Sequence, residues 1–190
     1  FGLRLLNRRG CFPQFDKFIE QTKDVWTHLV DIRKSFEPRA EELAKKYALA
    51  PYTMFIGSGA LWGETILFSM CILEEMQWKR TRYITSADFF HGTLELVEPG
   101  VPVFLFMGED ENRKLDERVR AFLNRGVTGD TDINIIDTAE FAIPGLDDEF
   151  RVIVSPWILS SLITDRLAAY YETVTKHNLN YRRYYHQFDY

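Results

Sequence analysis

Four places in the chain carry residue types from which proton-transfer chemistry can be built. The first is the adjacent pair Glu74 and Glu75, which closes the apolar stretch from Leu61 to Met76. A carboxylate half-buried at such a helix end is expected to hold its proton more tightly through desolvation, which suits a base or proton shuttle near neutrality. Neighbours on a helix point ~100° apart, so only one of the two faces a given pocket. The second is His91 in "DFFHGT", the histidine that sits beside a strand-like run and a glycine; His28 lies within the first helical pattern, and His177 and His186 lie near the end. The third is "GSG", Gly57, Ser58 and Gly59, a strand-to-helix turn whose N–H groups and serine hydroxyl suit an anion or a polar sugar. The fourth is the tail "NYRRYYHQFDY", which offers Arg182, Arg183 and His186 to a phosphate or carboxylate, or an aromatic oligomer contact. A plainer reading competes at each place: solvated glutamates, a packed histidine, tight-turn glycines and a frayed end. Taken singly, Glu75 and His91 lean toward the plainer reading.

Other chemistries find less support. If Gly57 and Gly59 open a dinucleotide fingerprint, its third glycine position is Trp62, and no Gly-Lys-Ser/Thr follows to make a P-loop. Metal-ligand clusters and a G-x-S-x-G elbow are missing from the sequence, so metal hydrolysis and serine-hydrolase chemistry are poor bets. Cys11 and Cys71 lack zinc or redox spacing, and Cys71 reads as a buried free thiol, which suits a reducing cytosol. A net charge of −5 argues against nucleic acid as a partner, because phosphate backbones recruit basic surfaces. The first elements show no leader pattern, and the apolar runs read as too short or too interrupted for a bilayer, so a cytoplasmic protein without membrane contact is expected.

The elements that must position these residues alternate between two periods. At 190 residues, the chain is long enough for one self-sufficient core. Apolar residues recur at helical spacing from Pro13 to about Ser35, and a second helix is predicted from Glu37 to Tyr47 with Pro38 in its first turn. "PYTMFIGSG", "TRYITSAD", "VPVFLFMG" and "DINIIDT" read as strands, and "FAIPG" as a short edge strand. Helices are predicted over Leu61–Met76, over "NRKLDERVRAFLNRG" with Gly126 closing it, and over most of the stretch from Asp147 to Lys176, where Pro156 starts or kinks the main part. One or two helical turns surround His91. The pattern predicts an α/β three-layer sandwich with a central parallel sheet of about five strands. Residues 1–50 form a helical lead-in, 51–176 the sheet domain and 177–190 the tail. Ligands of such sheets bind beyond the carboxyl ends of the strands, which directs attention to the turns at 57–59, 85–88 and 107–110.

A strand, a G-x-G turn, an apolar helix ending in Glu, and then "FFHG" with His sixteen positions after that Glu resemble the sugar isomerase (SIS) domain, in particular the second of its two halves. The isomerase part of glucosamine-6-phosphate synthase is similar at the same spacing, which fits Glu75 and His91 and not Glu74. "EMQW" (Glu75 to Trp78), "ADFFHG" (Ala87 to Gly92), "LDER" (Leu115 to Arg118) and the ending "RRYYHQFDY" are similar to the fructosamine-6-phosphate deglycases. The resemblance implies a flavodoxin-like strand order and a cofactor-independent enzyme. It would cleave a phosphorylated Amadori product to glucose 6-phosphate and an amine, with Glu75 and His91 catalytic and Gly57, Ser58, Gly59, Arg183 and His186 at the substrate. It also implies a homodimer or larger homo-oligomer, since related enzymes bring the histidine from a neighbouring subunit. An aldose–ketose isomerase of the same residues and a non-catalytic sugar-phosphate sensor stay open. Two departures stand out: Ile72 replaces a lysine of the synthase, and His186–Gln187 replace a lysine of its tail. The Ser/Thr-rich phosphate loop of a first half does not occur here. The expectation is that it precedes residue 1, and that this chain as a lone second half folds and dimerises with weak activity or none.

Overall fold

The computed structural model describes residues 1–126, 129 and 131–189; Tyr190, the last residue of the tail motif, lies outside the described residues. Three helices lead in: α1 (Gly2–Arg8), α2 (Phe15–Thr22) and α3 (Val25–Tyr47). The sheet consists of β1 (Thr53–Gly57), β2 (Thr81–Ile84), β3 (Val103–Met107) and β4 (Ile133–Asp137), all parallel in the order β2-β1-β3-β4. Every residue of β1 and β3 is buried, which is why their apolar runs show no alternation with polar residues.

Alternation appears instead between two apolar layers. Phe55, Phe104, Phe106 and Ile136 point to one face, where the rings of Phe55 and Phe104 stack at 5.2 Å between centroids. Met54, Ile56, Val103, Leu105 and Met107 point to the other. The aromatic face packs on α3, on the helix after β1, and on the C-terminal helices α7 (Asp148–Leu162) and α8 (Ala168–Thr175). The Met/Leu face is covered by α5 (Ser86–Phe89) and α6 (Arg113–Leu123). The result is the three-layer sandwich expected from the strand–helix alternation.

The structure corrects three sequence expectations. The lead-in breaks at Lys23 and Asp24, and α3 then runs through Pro38 without interruption. Its buried stripe of Ile32, Phe36, Ala40, Leu43 and Tyr47 passes under the proline. Pro38 and Lys34 face solvent, where water can take the carbonyl that the ring leaves unpaired. "FAIPG" forms a turn rather than a fifth strand: Leu146 N–H donates to the Ile143 carbonyl at 3.2 Å. Pro144 offers no ladder donor, and Arg151 occupies the Phe141 carbonyl at 3.1 Å, so β4 ends the sheet at four strands. The run Asp148–Thr175 is long and apolar enough to cross a membrane by length and composition; half of its most apolar window is buried in the protein, as in a core helix.

The helix after β1 decides where Glu74 and Glu75 point. It opens with one 3-10 turn (Gly59–Leu61), continues as α4 (Trp62–Ile66) and widens to π spacing over Leu67–Met76. Such spacing is rare and is often found at functional sites. It ends with Lys79 N–H donating to the Leu73 carbonyl, six residues back, at 2.8 Å across Trp78, whose φ is +53°.

Candidate active site

At the end of that helix the two glutamates part. Glu74 turns toward the sheet, where its Oε1 accepts from the Thr81 hydroxyl at 2.6 Å. Glu75 turns toward the tail, and its Oε1 lies 2.9 Å from Arg182 Nε. An apolar pocket around Glu75 was the expectation; the structure instead holds it with a guanidinium whose side chain is itself four-fifths buried. Arg182 is fixed in turn by donating to the Leu179 and Tyr181 carbonyls at 2.8 and 2.9 Å.

The tail is a docked strap. Buried Gln77 donates to the His177 carbonyl at 2.6 Å and accepts from the Thr175 hydroxyl at 2.7 Å, which ties the end of α8 to the "EMQW" stretch. The Trp78 ring meets His177 edge-on at 4.3 Å, and the Arg183 guanidinium lies over Trp78 at 4.3 Å. These contacts enclose a cleft of about 400 Å³ whose walls include Glu75, Trp78, Lys79, Arg183 and Tyr184. Burial pushes the Lys79 ammonium below the ordinary lysine range. His186 does not line this cleft; it is exposed, and its ring rests on Tyr185. Ile72 packs against the apolar core, so no ammonium stands at that helical position.

His91 is elsewhere. It follows α5, exposed, with its N–H on the Asp88 carbonyl at 2.8 Å. Glu75 precedes β2 and His91 follows it, and His91 does not line the cleft that Glu75 lines.

The turns at the carboxyl ends of the strands have their polar groups engaged internally. Ser58, buried, accepts from Ser86 N–H at 2.7 Å, and Ala60 N–H donates to the Asp110 carboxylate, which also accepts from Asn112 N–H at 2.7 Å. Gly59 has φ +55°, and a Cβ there would lie 2.1 Å from Asp110 Oδ2. The turn thus serves an anion, but one that the chain itself supplies. The opening beside it is lined by Glu109, Asp110, Glu111, Asp148 and Glu149, which repel a phosphate.

The aspartate of "LDER" belongs to this scaffold. Asp116, buried, accepts from the Ser86 hydroxyl and, at 3.3 Å, from Gly108 N–H, linking the ends of β1, β2 and β3. Desolvation pushes its carboxyl from 3.8 up to about 6, against the pull of those two donors. The folded protein therefore holds the proton more tightly than the unfolded chain. That contribution to stability is complete below pH ~4 and is lost as pH rises through about 6. Asp116→Asn is expected to remove this dependence. Unfolding free energies of the two proteins from urea titrations between pH 4 and 7 should diverge by on the order of 2 kcal/mol across the range, and parallel curves would refute the assignment.

With this geometry in place, the relatives can be compared. No protein-family model matches the chain. It is 28% identical over 188 residues, 97% of its length, to a fructosamine deglycase (FrlB) of Bacillus subtilis. It is 29% identical over 186 residues to a fructoselysine 6-phosphate deglycase of Escherichia coli. A solved Salmonella typhimurium structure described as a phosphosugar isomerase superposes with a TM-score of 0.88 at 26% identity, covering 99% of this chain and 57% of that one. The parallel sheet, its order and these neighbours make the chain a sugar isomerase (SIS) fold protein. Within that class its named relatives are deglycases, and the chain spans about half the length of the curated relatives it matches. Trp78 and Asp116 entered the sequence reading only as members of "EMQW" and "LDER", and Lys79, which directly follows "EMQW", was missed.

Proposed function

We propose that the chain acts in a cofactor-independent fructosamine-6-phosphate deglycase, with Glu75 as the carbon base and His91 as the ring-opening residue. The observation that carries this reading is the Glu75 carboxylate, fixed by Arg182 inside a cleft that Glu74, Lys79, Arg183 and aromatic rings also line, a setting that suits a polar substrate. An Amadori product rests mainly as a closed ring. An imidazole titrating near neutrality can move a proton from the anomeric hydroxyl to the ring oxygen, which opens it. The C2 carbonyl then acidifies C1. Glu75 takes the C1 proton, giving an enaminol, and a proton is returned at C2, leaving an imine between C1 and nitrogen. Water adds to that imine and the C–N bond breaks, releasing glucose 6-phosphate and the amine.

The placement of Glu75 in the cleft and of His91 outside it supports a site shared between two copies, each giving one residue. A cytoplasmic homo-oligomer follows from the same reading. Gly57, Ser58 and Gly59 then act as scaffold, and Arg183 is the tail residue placed to meet substrate.

The test combines an NMR titration with glucose 6-phosphate and fructoselysine 6-phosphate with an assay of released amine on the natively expressed protein. Amine release together with shifts at Glu75, Trp78 and Arg182 is expected. Ketose–aldose interconversion without amine would replace deglycation by isomerisation, and binding without turnover would make the chain a sensor.

A further inference from the structure

The cleft beside Glu75 holds two cations that the chemistry above does not use. Arg182 is paired with Glu75, and Glu74 accepts from Thr81. Among the described residues, neither Lys79 nor Arg183 pairs with a carboxylate, although both line the cleft. Lys79 is half-buried, an expensive place for an ammonium without a counter-ion. The Arg183 guanidinium lies over the Trp78 ring at 4.3 Å, and its N–H fork suits bidentate donation to a planar anion. Trp78 itself sits at φ +53°, which glycine adopts freely and a bulky aromatic does not. Its ring is held there between His177 and Arg183. Strained residues clamped by their surroundings cluster where ligands bind.

We propose that Lys79 and Arg183, spaced by Trp78, form a subsite for the carboxylate of an amino acid carried on C1 of the substrate. The inference rests on the deglycase reading, in which C1 is the carbon that Glu75 deprotonates. Because Glu75, Lys79 and Arg183 share one small cleft, the carboxylate must lie close to C1. That favours amino acids joined through their α-nitrogen, which places the carboxylate carbon three bonds from C1.

Two synthetic ligands isolate the carboxylate: the fructose 6-phosphate adduct of alanine and that of ethylamine, which differ by that group alone. Calorimetry on the natively expressed protein should show the alanine adduct binding tighter by on the order of 10- to 100-fold, as for one charge-assisted bidentate contact. In the Lys79→Gln/Arg183→Gln double variant the ratio of the two dissociation constants should fall toward one, with the circular dichroism spectrum unchanged. Equal affinities in the parent protein, an undiminished ratio in the variant, or binding of neither adduct overturns the subsite. A preserved preference without release of alanine upholds the subsite and overturns the deglycase reading instead.

Discussion

Glu75→Gln and His91→Ala are each expected to lower amine release by ~10²–10⁴-fold, the usual contribution of a placed acid or base, with the fold intact. Neither change touches the core: Glu75 is half-exposed and His91 exposed. The informative measurement is made on a mixture. In the proposed shared site, Glu75 before β2 and His91 after it come from two copies. Subunit exchange between the two variants yields mixed dimers with one intact site and one doubly damaged site. About a quarter of parental activity is then expected from an equimolar mixture, half the dimers being mixed and each carrying half its sites intact. Near-normal turnover by either single variant would sink that residue's role. Two inactive variants whose mixture stays inactive would leave the roles and sink the shared site.

Glu75→Gln also separates chemistry from placement. The amide keeps the shape and an oxygen that accepts from Arg182 Nε, so the strap stays docked and substrate affinity should change little while the rate falls. Arg182→Ala frees both the carboxylate and the strap. It should lower the rate through lost orientation and weaken binding together, because Leu179 and Tyr181 lose the donor that shapes the tail.

What the sequence disclosed follows from how each signal is encoded. Strands β1 and β3 were legible because burial on both faces forces unbroken apolar runs. The Glu75–His91 spacing was legible as a family resemblance, and the structure adds the reason Glu75 and not Glu74 meets the tail: the π-widened turns carry Glu74 toward Thr81. That widening is invisible to a pattern search at 3.6 residues per turn. The fifth strand was overcalled because "FAIPG" has strand-like residues, while the Arg151 side chain that takes its carbonyl lies ten positions away on α7. The carboxyl-end rule pointed to the "GSG" turn, but Asp110, fifty residues on, supplies the anion that the turn receives. Long-range side-chain choices of this kind leave no local trace.

Arg151 marks the position where truncation is expected to cost the most stability. It donates through Nε and Nη2 to both oxygens of Glu109, and through Nη2 to the Thr138 and Phe141 carbonyls at 3.0 and 3.1 Å. Its side chain is 12% exposed and that of Glu109 14%, so water cannot replace it. Arg151→Met would leave a buried carboxylate without its cation and the Phe141 carbonyl without its donor, while the Thr138 carbonyl keeps the Phe141 N–H at 3.1 Å, a loss of ~3–5 kcal/mol. For a domain of this size the melting temperature should fall by on the order of 10 °C. The contrast is Lys45, whose pairing with Glu41 on the outside of α3 is 66% and 45% exposed; Lys45→Met should cost less than ~0.5 kcal/mol. Adding Glu109→Gln to Arg151→Met removes the stranded charge while an amide oxygen can still accept from the Thr138 hydroxyl. The double variant should regain at least half of the loss, because the penalty lies in the unpaired charge more than in the missing attraction. A double variant as unstable as Arg151→Met would instead assign the cost to the Phe141 carbonyl, and with it the turn that ends the sheet.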